Sequence, residues 1–281
     1  NMNLGILETY ILAQAELCAA LLIPTMKGKE QISLTYETDG ICKGFSVEAD
    51  STGFVRGHLF QESIPLEKPL ENWDLTQFFG NGTLTIRRLG DGMKEAMTSS
   101  VEIVHKNIAL DLAYYFEQSE QIHTAFNTSV KFDKDGRIVG AGGLFLQVVP
   151  EAGGKSKVSA QNVQSGDEFA SDVRDELIGR VENALQALPS IGTWFSENGN
   201  RKDIVYGLFR EFNPVAVLDR DIIYDCPCHL EKYVDAVKRF PKNQLDELIN
   251  EDKFPLEIVC SNCGSKYYIT KEMLLNPAFE K

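Results

Sequence analysis

Cys226-Pro227-Cys228 and Cys260-Ser261-Asn262-Cys263-Gly264 carry four of the six cysteines in the chain, and the reading of the fold turns on them. A thiolate is a soft ligand, and four thiolates converging from two short turns match the closed tetrahedral shell of structural zinc. The two-residue spacer of Cys260 and Cys263 lets both sulfurs face one ion, and Gly264 permits the tight turn that follows. The Cys226–Cys228 pair has a single residue between its sulfurs, and Pro227 fixes φ and removes a backbone donor. That pair can reach one metal, or each other. The spacing predicts one zinc per chain, held by Cys226, Cys228, Cys260 and Cys263. A dithiol oxidoreductase places its CxxC at a helix N-terminus after a strand. Here the motif runs instead into the strand-like Lys266-Tyr-Tyr-Ile.

Outward from the cysteines, 281 residues with 43% hydrophobic content suffice for a full core and for two or three units. The net charge of −13 argues against nucleic acid as partner, because affinity there comes from clustered Lys and Arg. Near the cysteines, Lys232, Lys238 and Lys266 alternate with Glu231, Asp235 and Glu257, so no basic patch forms. Cysteines at metal spacing without a secretory leader point to a reducing, cytoplasmic setting. The most apolar stretch, Ile6 to Met26, contains Glu8 and Glu16. It therefore lacks the run of about 18 uncharged apolar residues that a bilayer span needs and reads as a buried helix, with no membrane partner.

Strand and helix periods give the fold class. Residues 31–60 alternate through Ile32, Leu34, Tyr36, Phe45, Val47 and Val55, with turns at Asp39-Gly and Asp50-Ser-Thr-Gly, which predicts an antiparallel meander. Hairpins are expected at Leu84–Leu89 with Ser100–Val104, and at Val130–Phe132 with Gly143–Val149. Between them, Asn107 can cap a helix through roughly Gln121. Gly140-Ala-Gly-Gly leads into a strand, which disfavours a phosphate cradle. His58, His105 and His123 have no catalytic partner at a recognisable spacing. Strands in runs with helices to one side predict α+β, with an N-terminal antiparallel sheet and packed helices over residues 1–150.

A Gly, Ser, Lys and Gln rich boundary, Glu151 to Gln164, opens a helical linker over 151–225. Phe169, Val173, Leu177, Val181, Leu185 and Leu188 form one amphipathic face, ended by Pro189; Trp194 and Phe195 fall in the link that follows. Residues 203–212 predict a second short helix. Residues 226–281 then form a small zinc unit with helices at 233–240 and 244–249. That unit is too small for its apolar core alone, and metal binding of roughly 10–16 kcal/mol makes up the difference.

With these residues in view, the whole chain resembles the family of 33 kDa heat-shock, redox-regulated chaperones. The resemblance rests on Gly80-Asn-Gly-Thr-Leu-Thr-Ile, Asp111-Leu-Ala-Tyr-Tyr-Phe-Glu-Gln-Ser-Glu-Gln, Ala141-Gly-Gly-Leu-Phe-Leu-Gln-Val-Val-Pro and the CxC with CxxC. It implies an ATP-independent holdase, not an enzyme, that is silent while reduced and zinc-bound and binds unfolding client proteins once oxidised. It implies disulfides Cys226–Cys228 and Cys260–Cys263, a monomer when reduced and a homodimer when oxidised. The chain departs from the family in a shorter segment before the first helix, a linker extended by Gly153 to Gly166, and His229 in place of a small polar residue. His229 can compete for zinc or remain a solvated side chain.

The switch also has a physical basis of its own. Each sulfur lost to oxidation lowers metal affinity, so metal release and loss of the small unit's fold are one event. The apolar linker faces, with Phe169, Val173, Leu177, Val181, Leu185, Tyr206 and Phe209 as candidate client-binding residues, then become available. The short CxC ring predicts that Cys260 and Cys263 oxidise before Cys226 and Cys228. The competing reading is an adaptor whose zinc module is purely structural.

Overall fold

In the computed structural model the described residues are 4–66, 68, 70, 72–148, 167–251 and 253–276, with backbone alone for 167–175. The expected boundary at Glu151 to Gln164 lies outside them. Helix α1 (Ile6–Leu22) ends in a 3₁₀ turn carrying Pro24. By length and composition this helix could cross a membrane, but here Leu7, Ile11, Ala15, Cys18, Ala19 and Leu22 are buried in the main core. The charge expected to disqualify it is also inside. Glu8 is buried and accepts the Ile64 N–H at 2.7 Å.

The expected meander forms as β1 (Gln31–Thr38), β2 (Gly44–Asp50) and β3 (Phe54–Leu59), followed by the hairpin β4 (Gly82–Leu89) and β5 (Met97–Glu102). Alternation places Ile32, Leu34, Tyr36, Phe45, Val47, Val55, Leu84 and Ile86 against α1 and leaves Ser33, Thr35, Glu48, Arg56 and Arg87 on the outer face. Helix α2 (Ile108–Tyr115) starts where Asn107 accepts the Leu110 N–H at 3.1 Å. Its Asp111 is fully buried and accepts from the Tyr36 hydroxyl and from the amides of Val104, His105 and Asn107. The acidic residue of the Asp111-Leu-Ala-Tyr-Tyr motif therefore ties α2 to the sheet. Regular α-helix stops earlier than the expected Gln121. A wider π-turn, Phe116–Glu120, follows, with Phe116 turned onto Phe126 and Phe145.

Strands β6 (Thr124–Phe132) and β7 (Ile138–Gln147) make a separate antiparallel hairpin, longer than the expected one. Three helices follow, α3 (Asp167–Gln186), α4 (Ile191–Ser196) and α5 (Arg201–Asp203), the last running into a π-turn and a 3₁₀ turn that end at Phe212; of these, α4 lies on the hairpin. Trp194 and Phe195, expected in a link, belong to α4, which Ser190 caps by accepting the Thr193 N–H. The glycine run explains why the helix fits there. A Cβ on Gly140 would lie 2.0 Å from the Gly192 carbonyl oxygen, and one on Gly142 would lie 2.6 Å from Ile191. Ala184, Ile191, Ile204 and Phe209 pack together over Leu144 and Leu146 of β7, so the linker borrows its core from the hairpin.

The two-residue strand β8 (Ile223–Tyr224) then joins the main sheet, giving the order β5-β4-β1-β2-β3-β8 with β8 parallel to β3. Helices α6 (Leu230–Lys238) and α7 (Lys242–Asn250), strands β9 (Leu256–Val259) and β10 (Lys266–Ile269), and α8 (Lys271–Leu275) complete the chain. Val234, Val237, Ile269 and Leu274 form its small core.

Candidate metal centre

The two cysteine turns are placed by different elements. Cys226 and Cys228 sit between β8 and α6, where the chain leaves the sheet edge. Cys260 to Ser265 is the tip of the β9–β10 hairpin, closed by the Cys260 N–H on the Ser265 carbonyl at 2.9 Å and the Gly264 N–H on the Cys260 carbonyl at 2.8 Å. Gly264 has φ +68°, the left-handed backbone that favours glycine.

All four Sγ atoms lie within 4.8 Å of one another. The shortest approaches are across the motifs, Cys226 to Cys260 at 3.6 Å and Cys228 to Cys263 at 3.3 Å. A tetrahedron with metal–sulfur bonds of about 2.3 Å has edges of about 3.8 Å. The sulfurs are therefore spaced like the corners of a four-thiolate cage. His229 is not one of them. Its Nδ1 accepts the Lys232 N–H as the N-cap of α6 and lies 3.1 Å from Glu231, which assigns the side chain to helix capping.

The surroundings treat the four thiols unequally. Burial and the Cys228 contact push the Cys226 thiol up to about 12, against the Arg56 guanidinium, which pulls it down. Burial also raises Cys260, but hydrogen bonds from Tyr233, from the Cys263 and Asn262 amides and from Cys226 outweigh it and bring the thiol down to about 6. Cys263 is likewise lowered, its burial overcome chiefly by Ser265, whereas burial raises Cys228. The pair on the β9–β10 hairpin is thus held toward thiolate and the Cys226–Cys228 pair toward thiol.

Sequence reasoning missed the shell around the sulfurs. The Tyr267 hydroxyl lies 3.1 Å from Cys228 Sγ and donates to the Cys228 carbonyl at 2.8 Å. Alternation along Lys266-Tyr-Tyr-Ile could have marked it as the inward residue. From β3, Arg56 Nη1 donates to Cys226 Sγ at 3.7 Å, and His58 Nδ1 lies 2.9 Å from Asn262 Oδ1. No local signal points to contacts across so much chain.

The candidate client-binding residues divide. Leu177 and Tyr206 are exposed, Val181 is half-buried, and Leu185 and Phe209 face the linker's shared core. Phe169 and Val173 belong to α3, with side chains outside the described residues.

The sequence profile of the Hsp33 protein family matches residues 1–270. A 33 kDa chaperonin of Caldanaerobacter subterraneus is 30% identical over 91% of this chain and 80% of its own length. A 33 kDa chaperonin of Prochlorococcus marinus is 30% identical over 98% of this chain and 89% of its own. The crystal structure of a 33 kDa chaperonin, a heat shock protein 33 homologue from Thermotoga maritima, superposes with a TM-score of 0.75 at 30% identity, covering 97% of this chain and 85% of that one. The extent of these matches, over sheet, linker and cysteine turns alike, makes the chain a member of the Hsp33 protein family.

Proposed function

We propose that this chaperone is a redox-regulated, ATP-independent holdase of the cytoplasm, organised as a sheet domain over 1–150, a metastable linker over 151–225 and a zinc unit over 226–281. The reduced form holds one zinc through Cys226, Cys228, Cys260 and Cys263. The observation that carries this reading is the convergence of those four sulfurs within 4.8 Å from two loops whose unit has, among the described residues, a buried apolar cluster of four. Bound zinc supplies the cross-link that folds this unit. Three separate apolar clusters support the division of the chain.

Oxidation by a peroxide takes two electrons from each thiolate pair, forming the Cys226–Cys228 and Cys260–Cys263 disulfides while peroxide is reduced to water. Four ligands are lost, and the unit loses its fold. β8 is then left with two backbone bonds to β3 as its hold on the sheet edge, and the linker, whose apolar core is shared with β7, comes away with the faces of Leu177, Val181, Leu185, Tyr206 and Phe209 free for unfolding clients. By sequence periodicity alone, Phe169 and Val173 are further candidates. The active form is a homodimer and the reduced form a monomer. Glycines 140, 142 and 143 pack against α4, β6 and α1, which leaves this run no room to cradle a phosphate. The test is aggregation of a thermally unfolding client without nucleotide. Oxidised protein should suppress it and reduced protein should not; equal suppression by both forms would contradict the proposal.

A further inference from the structure

The outer face of the main sheet is built of polar rungs, and two adjacent rungs end on the cysteine loops. One runs Thr98, Arg87, Ser33, Glu48, Arg56 across β5, β4, β1, β2 and β3. At its end Glu48 Oε2 takes Nε and Nη2 of Arg56 at 2.9 and 2.6 Å, which fixes the guanidinium and leaves Nη1 for Cys226 Sγ at 3.7 Å. The next rung runs Ser100, Thr85, Thr35, Ser46, His58, and His58 Nδ1 meets Asn262 Oδ1 at 2.9 Å. A groove of about 480 Å³ opens on this face, with Arg56, Arg87, Asp225 and Pro227 in its wall.

These contacts reach different loops. Cys226 is on the first turn and Asn262 on the second, yet both are met by residues two apart on one strand, whose side chains stand about 7 Å apart. The two loops can satisfy both contacts only when they are held side by side. The Tyr224 hydroxyl bridges the same gap, donating from β8 to the Asn262 carbonyl. β8 itself hangs on two backbone bonds, Ile223 N–H to the Gly53 carbonyl at 2.9 Å and Asp225 N–H to the Val55 carbonyl at 3.2 Å.

We propose that Arg56 and His58 form a two-point dock on β3 that recognises the closed pair of cysteine loops and keeps β8 on the sheet edge only while the pair stays closed. The proposal rests on the reading of the cysteines as a metal centre, and it assigns the sheet an active part in sensing that centre. Arg56 and His58 are positioning residues, and neither supplies a metal ligand.

The experiment is hydrogen exchange at the Ile223 and Asp225 amides in reduced, zinc-loaded protein, comparing wild type with Arg56→Ala, His58→Ala, Asn262→Ala and the His58→Ala/Asn262→Ala double variant. Each single variant should keep one zinc per chain, leave β1 and β2 amides protected, and exchange these two amides about tenfold faster. The double variant should exchange no faster than either of its singles, because both remove one contact. Asn262→Ala tests the dock without altering the sheet. Unchanged exchange in zinc-loaded Arg56→Ala and His58→Ala, or additive effects of His58 and Asn262, would overturn the dock. Zinc analysis of the same samples keeps the readings apart: a wild-type chain without zinc overturns the metal centre instead.

Discussion

Replacing Gly140 by alanine should switch the chaperone on without touching a cysteine. Alanine is compatible with the strand backbone at this position, so β7 itself tolerates the change. The obstacle is α4. The new Cβ would stand 2.0 Å from the Gly192 carbonyl oxygen and 2.7 Å from the Ser196 nitrogen, against the 3.4 Å at which ordinary contact begins. Both are backbone atoms, so no rotamer change relieves the clash and the helix must back off. Doing so withdraws Ile191, now 2% exposed, from its seat on Gly142 and parts Ser190 from Ser129, whose hydroxyls are 2.9 Å apart. Losing the burial of one isoleucine costs about 1.5–3 kcal/mol. At the upper end the undocked linker becomes about a hundredfold more populated. Limited proteolysis of reduced, zinc-loaded Gly140→Ala should cut between 176 and 212 faster than wild type, and the same sample should suppress client aggregation. Wild-type resistance in that segment, or rapid cleavage with no suppression, would refute the idea that docking on the hairpin holds the chaperone silent.

Three further outcomes follow from particular residues. Gly179 lies in α3 with nothing near its would-be Cβ, so Gly179→Ala should stabilise the helix by about 1 kcal/mol and slow oxidative activation in a client-aggregation time course. Glu16 on α1 has a buried Oε1 without a partner among the described residues, and burial raises its carboxyl from 4.5 to about 7. Between those values the native state holds a proton that the unfolded state has released. Stability therefore falls as pH rises through that window, by about 3 kcal/mol, and denaturant midpoints at pH 5 and pH 8 should show that slope in wild type and not in Glu16→Gln. In zinc-free protein at neutral pH, Cys260 and Cys263 should alkylate before Cys226 and Cys228, because hydrogen bonds hold the first pair toward thiolate and burial holds the second toward thiol. Peptide mapping over time reads this order.

Much of this fold could be read because its signals are local. Alternation in 31–60 placed the meander, Asn107 announced the start of α2, and a run of apolar residues at helical spacing located α3. The cysteine turns carry their own geometry in two short spacers, so the convergence of the four sulfurs was legible. What escaped was long-range. β8 is two exposed residues, too short for any period, and its parallel pairing with β3 is set by where the cysteine unit sits. The glycine run at 140–143 had the look of a loop because its purpose, room for α4, involves a helix some 50 residues later. α4 itself is six residues long and contains a glycine, which gave Trp194 and Phe195 no pattern to join. Arg56 and His58 look like ordinary outward residues of a strand until the second partner is seen. Asp111 stands in a motif, but its four donors come from two places, Tyr36 on β1 and the turn 104–107.

Control of the chaperone by its cysteine centre is tested most directly on one sample followed through one oxidation. Zinc release, read with a colorimetric chelator, and suppression of client aggregation should be recorded together as peroxide is added to reduced protein at an elevated temperature. One zinc per chain should leave, and suppression should rise with its loss and not before it. Full suppression while zinc is still bound, or complete zinc loss and disulfide formation with no suppression, would contradict the central claim that the four-cysteine centre holds the chaperone silent.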